Sequence, residues 1–359
     1  MKIGVLGSGN GATAVAFDFA KFNNDVYIFD FEEFSDNIKS ISDNKGIYAE
    51  GELKGFAPIK YAGHDIEKVV KGADIIFAVG PAYSTKPFAE TCRPYLKKGQ
   101  IVIICPGSCG GALVFKNTLG LDLQNEEIII AETNTLPYAV RLVELGKVRV
   151  FLKLKGGLFL SALPSRYAQK IIDLIKGIYP CMLLAKNVFQ TMIQNGNPII
   201  HPAVTLLNAA LIERTKGNFF FYEEGITPSV GRLIKAADEE RIKIGKKLGL
   251  DIFPDPKVGV RQGYMQEASY DKGYSKAKGF EGIKAQASIN HRYINEDVGF
   301  GLIFMSDLGK RVGVSTPVMD SIITIASKIN NRDYRKEKAR TLENMGLHNY
   351  TIEQLGNIL

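Results

Sequence analysis

A single histidine interrupts an apolar segment in the second half of the chain and is the first candidate for chemistry. His201 lies in "NGNPIIHPAVTLLNAALIERTKG" (195–217), between Pro198 and Pro202, and the chain has only 4 histidines. Histidine titrates nearest to physiological pH, so it can give or take a proton during a reaction. A structural histidine in the protein interior is the alternative interpretation.

A glycine-rich turn near the N-terminus indicates a phosphate-binding loop. Residues 2–6 (KIGVL) are typical of a strand, "GSGNGATAVAFDFAKF" follows, and 25–30 (DVYIFD) are typical of the next strand. Gly7 permits a tight turn, Gly9 lets the backbone approach a pyrophosphate, and Ala12 lets the helix pack on the sheet. The helix N-terminus offers N–H groups to the phosphates. We therefore predict a dinucleotide site formed by Gly7, Ser8, Gly9, Asn10, Gly11, Ala12 and Pro81.

An acid at the end of the second strand favours NAD over NADP. Asp30 follows the glycines by about 20 residues, where a carboxylate bonds the hydroxyls of the adenosine ribose. Its charge would repel a 2′-phosphate, and residues 31–35 (FEEFS) contain no arginine to receive one. The alternatives are a solvated strand-end acid for Asp30 and, for the glycine motif, a turn that serves only helix–sheet packing.

The first half of the chain continues with the alternation of strands and helices that characterises a doubly wound fold. Buried strands are predicted at 73–81 and 100–107, with a helix between them, and further strands at 127–133 and 148–156. The stretch 43–63 is predicted to be a loop or a small hairpin.

Helical patterns dominate after Pro180. Residues 204–215 are apolar almost all round, which predicts a buried central helix, and 229–249 predict an amphipathic helix with Ser229 as its N-cap. A further helix is predicted at 313–330, whereas 256–290 suit either a mobile cover or an irregular connection. We therefore predict an α/β fold class, with a Rossmann-type dinucleotide-binding domain at 1–186 and an all-α helical domain at 187–359.

The composition excludes several other classes of protein. The 359 residues are 45% apolar and 23% charged, as in a folded globular protein, and no apolar run is long enough to span a bilayer. The net charge is +7, but no nucleic-acid-binding motif accompanies it, so we expect no nucleic-acid partner. The N-terminus begins directly as a strand, so we expect no leader peptide and a cytoplasmic location. We expect neither disulfides nor a metal site from the scattered cysteines Cys92, Cys105, Cys109 and Cys181.

Three longer segments make the chain similar to a known family. They are "NGNPIIHPAVTLLNAALIE" (195–213), "GNFFFYEEGITPSVGRLIKAADEERIKIGKKLGL" (217–250) and "HRYINEDVGFGLIFMSDLG" (291–309), and "TNTLPYAVR" (133–141) and the glycine motif agree with them. With these residues the chain resembles the opine dehydrogenases, which include octopine dehydrogenase.

The resemblance implies a reaction and its substrates. Members of that family join a 2-oxo acid, commonly pyruvate, to the amino group of an amino acid, and NADH or NADPH supplies the hydride to the intermediate imine. The partners would therefore be small molecules. A homodimer is one expected assembly, although the family includes monomers. Val140 stands where some relatives have cysteine, and the chain has 0 tryptophans, so the resemblance does not identify the amine.

The resemblance also implies roles for individual residues. His201 corresponds to the catalytic histidine and Asp297 to its partner, which would fix the imidazole tautomer and stabilise its cation. Arg292 corresponds to the carboxylate-binding arginine, whose guanidinium can hold a carboxylate through two bonds. Thr135 corresponds to a residue that lines the substrate pocket, and Asn197 is a candidate for orienting the substrate or the nicotinamide amide.

Each assignment has an alternative. The alternative interpretations are a helix-capping or surface acid for Asp297, a structural ion-pair residue for Arg292, and a turn residue before Pro198 for Asn197. Glycerol-3-phosphate dehydrogenase and ketopantoate reductase use a similar scaffold but a catalytic lysine, and the helix of His201 offers none before Lys216. A non-catalytic dinucleotide sensor would need the glycine turn only.

Overall fold

The computed structural model describes residues 1–358, and the chain divides between Thr191 and Met192 into two units. The first unit begins at Met1 and the second ends at Asn357. The division falls within the helix Val188–Gln194, shortly after the boundary that we predict at 186/187. None of the helices within the described range combines the length and the apolar character that crossing a bilayer requires.

Strands of the first unit form two sheets. In chain order they are β1 (Lys2–Leu6), β2 (Asp25–Phe29), β3 (Gly46–Gly51), β4 (Gly55–Pro58), β5 (Tyr61–Gly63), β6 (Ile75–Ala78), β7 (Ile101–Ile104), β8 (Ile129–Thr133), β9 (Tyr138–Glu144), β10 (Lys147–Lys153), β11 (Leu158–Leu163) and β12 (Met182–Leu184). The 8-stranded sheet has the order β12-β11-β8-β7-β6-β1-β2-β5, and the 4-stranded sheet has the order β4-β3-β10-β9. Every pair in the larger sheet is parallel except β11 with β8.

α-Helices lie between the strands of the first unit, and a further helix follows β12. They are α1 (Asn10–Lys21), α2 (Ser35–Asp43), α3 (Ile66–Val70), α4 (Thr85–Cys92), α5 (Gly111–Thr118), α6 (Ala168–Ile175) and α7 (Val188–Gln194). The strands β6 and β7 are buried at every residue, because a parallel sheet covered on both faces excludes water from both sides. The strand order reverses at β1, which lies between β2 and β6, and ligands of such sheets bind at this switch point.

The smaller sheet explains two segments that the sequence pattern left incomplete. The stretch 43–63 contains the antiparallel hairpin β3–β4, followed by β5 at the edge of the larger sheet. The strand predicted at 148–156 is β10, which pairs with β9 and β3 and so belongs to the smaller sheet. The buried strand β11 is not among the predicted strands.

The second unit is built from helices, as predicted. They are α8 (Asn197–Leu207), α9 (Ala209–Thr215), α10 (Pro228–Lys247), α11 (Asp255–Gln262), α12 (Lys272–Ser275), α13 (Arg292–Asn295), α14 (Ile303–Val312), α15 (Pro317–Ile329), α16 (Tyr334–Glu337) and α17 (Ile352–Ile358), with a π-helical segment at Asp297–Leu302. The stretch 256–290 contains α11, α12 and a short 3-10 turn, and its Lys284 forms an isolated β-bridge with Phe220.

The prediction of one buried helix at 204–215 is wrong. The helix breaks at Asn208, whose side-chain amide donates to the carbonyl oxygens of Val204 at 2.8 Å and Gly225 at 2.9 Å. The buried part ends at Thr205, and in α9 only Ile212 is buried. A tertiary hydrogen bond to a distant carbonyl therefore overrides the apolar pattern.

Helix α10 also begins differently from the prediction. Its N-cap is Thr227 rather than Ser229, because the Thr227 hydroxyl accepts a hydrogen bond from the Val230 N–H at 3.5 Å and Pro228 occupies the first turn. The Ser229 hydroxyl instead accepts a hydrogen bond from Arg232 at 2.7 Å.

A fully buried ion pair in α10 anchors the entry to α8. The Arg241 guanidinium donates to Asp238 at 2.6 Å and to the carbonyl oxygens of Ile193 at 2.7 Å and Phe253 at 2.8 Å. Asp255 packs directly against Gly196, because a Cβ added to Gly196 would lie only 1.6 Å from the Asp255 Oδ1. The "NGN" segment before His201 therefore needs its glycine for close packing.

Candidate active site

The glycine turn between β1 and α1 leaves space in front of a helix N-terminus. Gly7 has a φ of +103°, and a Cβ there would lie 2.4 Å from the Val79 carbonyl oxygen, so the turn requires glycine. Gly9 is extended, and a Cβ added to it would meet nothing within 4 Å. No side chain caps the start of α1, which leaves its first N–H groups directed at this space.

Asp30 follows β2 and turns back towards the glycine turn. One carboxylate oxygen accepts hydrogen bonds from the Ser8 N–H at 2.7 Å and the Ser8 hydroxyl at 2.6 Å, and the other accepts from the Phe31 N–H at 2.9 Å. Only 6% of Asp30 is exposed, which contradicts the alternative of a solvated acid. Burial raises the pKa of Asp30 above its ordinary value, against the opposing effect of these hydrogen bonds.

His64 is a neighbour of this site that the sequence pattern does not single out. Its Nδ1 lies 2.7 Å from the Asp30 carbonyl oxygen, and since a carbonyl only accepts, Nδ1–H is the donor. The histidine thus fixes the backbone at the end of β2 from the side of β5.

The remaining predicted cofactor and pocket residues lie at the carboxyl ends of the same strands. Asn10 opens α1, and its side-chain oxygen accepts a hydrogen bond from the Leu142 N–H at 2.7 Å. Pro81 follows β6 and its carbonyl oxygen accepts from Ser84. Thr135 follows β8, half-buried, with its carbonyl accepting from the Thr133 hydroxyl at 2.9 Å. All three belong to the edge at which doubly wound sheets bind ligands.

In the second unit, His201 and Asp297 form a buried pair. The two side chains are 5% and 6% exposed, and His201 Nδ1 lies 2.8 Å from an Asp297 carboxylate oxygen. Because the carboxylate accepts and does not donate, Nδ1 carries the proton and Nε2 is the nitrogen available for chemistry. His201 lies within α8, one turn after its start, and Asp297 begins the π-helical segment, a geometry that is frequent at functional sites.

Aromatic rings enclose the histidine. Tyr293 stacks on the imidazole, with the ring centroids 3.9 Å apart, and Phe221 meets it edge-on at 6.0 Å. On the other side the Tyr222 hydroxyl lies 3.0 Å from His201 Nε2. The sequence pattern did not identify these three residues, although two of them precede α10 in the "GNFFFYEEG" stretch and the third adjoins Arg292.

Arg292 is joined to the same cluster through Tyr293. Its guanidinium carbon lies 5.2 Å from the centre of the Tyr293 ring, and Nη1 is 3.4 Å from a Glu296 carboxylate oxygen. Burial lowers the pKa of Arg292, but the nearby Glu296 carboxylate together with Tyr293 and Asp297 outweighs this effect, so the pKa is raised overall. The side chain is 46% exposed, so an arginine that stays cationic presents donors to solvent.

Asn197 occupies the first residue of α8. Its backbone N–H donates to the Asn195 side-chain oxygen at 3.1 Å, and Pro198 follows in the first turn. The arrangement places Asn197 one turn before His201 on the same helix. Across residues 1–358, no three His, Cys, Asp or Glu side chains gather in the way that a metal ion would need.

Comparisons with known proteins identify both halves of the chain. Residues 184–330 match the family described as NAD/NADP octopine/nopaline dehydrogenase, alpha-helical domain, and residues 2–109 match the NAD-dependent glycerol-3-phosphate dehydrogenase N-terminus. An opine dehydrogenase from Arthrobacter sp. (strain 1C) is 36% identical over 97% of this chain and 95% of its own. The chain belongs to the opine dehydrogenase family.

A more distant relative is also an opine dehydrogenase, and solved structures share the fold of this chain. An opine dehydrogenase from Haliotis discus hannai is 23% identical, with 90% of this chain and 89% of the relative covered. The octopine dehydrogenase structure with NADH and L-arginine has a TM-score of 0.79 at 18% identity, covering 99% of this chain and 97% of that one. NADP+-bound yersinopine dehydrogenase has a TM-score of 0.73 at 12% identity, covering 100% and 97%.

Family membership defines the activity. The protein is an NAD(P)-dependent oxidoreductase that acts on CH–NH groups and reductively condenses a 2-oxo acid with an amino group. The residues of the first unit fit such a cofactor, because the space at Gly9, the uncapped helix α1 and the buried Asp30 form the three contacts that a dinucleotide requires. Neither of the alternative functions, a dehydrogenase with a catalytic lysine or a non-catalytic dinucleotide sensor, is needed to account for these matches.

Proposed function

We propose that this opine dehydrogenase uses His201 as the acid and base of the reaction, with NADH as the preferred cofactor and pyruvate as the oxo acid. The buried His201–Asp297 pair carries the proposal, because it holds a histidine in one tautomer with Nε2 directed away from the carboxylate. Bound NADH would supply the hydride, and the protein side chains would supply the proton.

His201 would handle the proton that accompanies hydride transfer. In the reductive direction the imine nitrogen must gain a proton, and in the oxidative direction the secondary amine must lose one. Asp297 would stabilise the imidazolium that forms in the second case, through the Nδ1–H bond that is already in place. Stacking of Tyr293 on the ring supports the same orientation.

Arg292 would bind a substrate carboxylate. Its planar guanidinium offers two parallel donors, and the exposed fraction of 46% leaves room for a ligand beside the Glu296 contact. Thr135 would line the pocket through its hydroxyl, and Asn197 would orient the substrate or the nicotinamide amide from the start of α8.

Asp30 would select NADH. Its buried carboxylate, at the end of β2, would accept hydrogen bonds from the ribose hydroxyls of the adenosine, and the exposed Glu32 and Glu33 follow it in a short 3-10 turn. Three acids within four residues oppose the approach of a 2′-phosphate. Among the relatives, one solved octopine dehydrogenase complex contains NADH and a yersinopine dehydrogenase contains NADP+.

Pyruvate and an amino acid are the proposed substrates. Solved complexes of octopine dehydrogenase contain pyruvate, L-arginine or agmatine together with NADH. Pyruvate is proposed as the oxo acid because of the similarity to octopine dehydrogenase and because Arg292 is proposed to bind a carboxylate. The amine is left to experiment.

Replacement of the histidine tests the proposal. We expect His201→Ala to retain NADH binding and to lose turnover by at least ~100-fold, the usual scale of general acid–base catalysis. His348→Ala is the matched control, since that histidine is exposed and lies outside the site. NADH affinity is measured by fluorescence titration and turnover by loss of NADH. Near-normal turnover of His201→Ala would remove the histidine from the mechanism.

A further inference from the structure

The Tyr222 hydroxyl occupies the position from which a substrate proton would reach His201. It lies 3.0 Å from Nε2, the nitrogen opposite the Asp297 contact. The tyrosine is 6% exposed and therefore shares the enclosed environment of the histidine. A proton can reach Nε2 directly only if this hydroxyl is displaced.

The contact suits both protonation states of the histidine. A phenol hydroxyl donates one hydrogen bond and accepts others. It donates to Nε2 when the imidazole is neutral, and it accepts from Nε2–H when the imidazole is a cation. The distance can stay the same while the proton changes sides, so no rearrangement is needed between the two states.

Packing holds the hydroxyl in this position. Phe280 stacks on the Tyr222 ring with the centroids 4.2 Å apart and the planes at 13°, and Phe221 meets it edge-on at 5.1 Å. Tyr264 continues the stack on Phe280 at 4.7 Å. A ring fixed between neighbours loses little further freedom in a reaction, which favours a preorganised role over an incidental one.

We propose that Tyr222 is a catalytic residue that relays the proton between His201 and the nitrogen that joins the two substrates; this rests on the proposed function. In the oxidative direction the amine N–H bond breaks and the proton passes to the Tyr222 oxygen, while the Tyr222 O–H bond breaks and its proton passes to His201 Nε2. The electron pair of the C–H bond leaves as hydride to the oxidised nicotinamide. Tyr222 is neutral before and after, and the reductive direction reverses each step.

The test is Tyr222→Phe, measured with pyruvate and the amino acid that supports the fastest turnover. We expect NADH affinity to be unchanged and the single-turnover rate of hydride transfer to fall at least ~10-fold, since without the hydroxyl the proton must pass directly between His201 Nε2 and the substrate nitrogen across a longer gap. Tyr264→Phe is the matched control, because it removes a hydroxyl from the same aromatic stack, two rings further from His201 than Tyr222. The control should stay within about twofold of the parent.

Solvent isotope effects separate a relay from a positioning role. With two protons in motion, the rate of the parent enzyme plotted against the deuterium fraction of the solvent should be curved, and the plot for Tyr222→Phe should be straight. A slower variant whose plot keeps the parental curvature would show that Tyr222 only positions His201. An unchanged or faster rate would show that the hydroxyl merely fills the site and is displaced by substrate; both results overturn the relay.

Failure of the proposed function would look different. If His201→Ala were as active as the parent, the acid–base role of His201 and the relay role of Tyr222 would both be excluded. If His201→Ala were inactive and Tyr222→Phe normal, only the relay would fall.

Discussion

The cofactor region and the histidine region are built in opposite ways. Apart from Pro81, the proposed cofactor region lies between Gly7 and Asp30 in one continuous stretch, and it offers mainly backbone N–H groups and empty space. The histidine region joins His201 to Asp297, 96 residues away, and works through side-chain atoms within 3 Å of each other. The first depends on the path of the backbone, and the second on tertiary packing.

The difference predicts different consequences of mutation. In the cofactor region an added side chain matters only where it fills the space of the ligand or collides with the turn. In the histidine region the loss of one polar atom removes a step of the reaction. Substitutions at two glycines of the same turn, at Arg292 and at Asp30 test this comparison.

The largest effect should come from the glycine that faces open space. We expect Gly9→Val to fold normally, since its φ of −72° suits any residue and a Cβ meets nothing within 4 Å, yet to weaken NADH binding at least ~100-fold by filling the place of the pyrophosphate. Calorimetric titration and thermal unfolding measure the two properties.

Gly7→Ala is the contrasting control for this experiment. Its Cβ would collide with the Val79 carbonyl oxygen in a left-handed turn, so it should lower the unfolding temperature. Normal NADH affinity in a folded Gly9→Val protein would break the assignment of the glycine turn as the pyrophosphate site.

A smaller effect is expected at Arg292, the arginine that we propose binds a substrate carboxylate. In Arg292→Lys a two-bond contact becomes a point charge, so KM for pyruvate should rise about 10-fold with little change in NADH affinity. Arg149→Lys, on an exposed residue of β10, is the control. Initial-rate kinetics with varied pyruvate measure the change. An unaltered KM would place Arg292 outside the substrate site.

The smallest effect is expected for cofactor choice. Asp30→Ala should narrow the preference of kcat/KM for NADH over NADPH by several-fold, whereas Glu33→Ala, on the exposed neighbour, should change it less. Burial raises the pKa of Asp30, so its negative charge is lost at a higher pH than for an ordinary aspartate. The preference of the parent enzyme should therefore also narrow as the pH falls. If the ratio of kcat/KM for NADH over NADPH stayed constant in Asp30→Ala, in Glu33→Ala and in the parent as the pH falls, Asp30 would be excluded as the residue that discriminates between the cofactors.

The two regions also differ in how far the sequence predicts them. The glycine turn and Asp30 are predictable because a strand, a turn, a helix and a strand follow one another within 30 residues. The pairing of His201 with Asp297 was expected only through the resemblance to a family, since no local pattern joins residues so far apart. Tyr222 was missed because a tyrosine in an aromatic stretch carries no signal of its own.

Tertiary contacts account for the remaining differences. Asn208 ends α8 through a bond to Gly225, which no periodicity of 204–215 can indicate. His64 follows β5 and Asp30 follows β2, so the two residues meet because β5 pairs with β2. Most element types were thus predictable from local pattern, whereas the strand β11, the helix ends and the polar partners depended on the folded chain.

NADH consumption with pyruvate and each proteinogenic amino acid singly, with NADPH in parallel, tests the proposed reaction directly. We expect loss of NADH absorbance only when both organic substrates are present, with a secondary-amine product identified by mass spectrometry. Consumption with pyruvate alone would show a simple hydroxyacid dehydrogenase and contradict reductive condensation, and so would NADH binding without turnover for every pair.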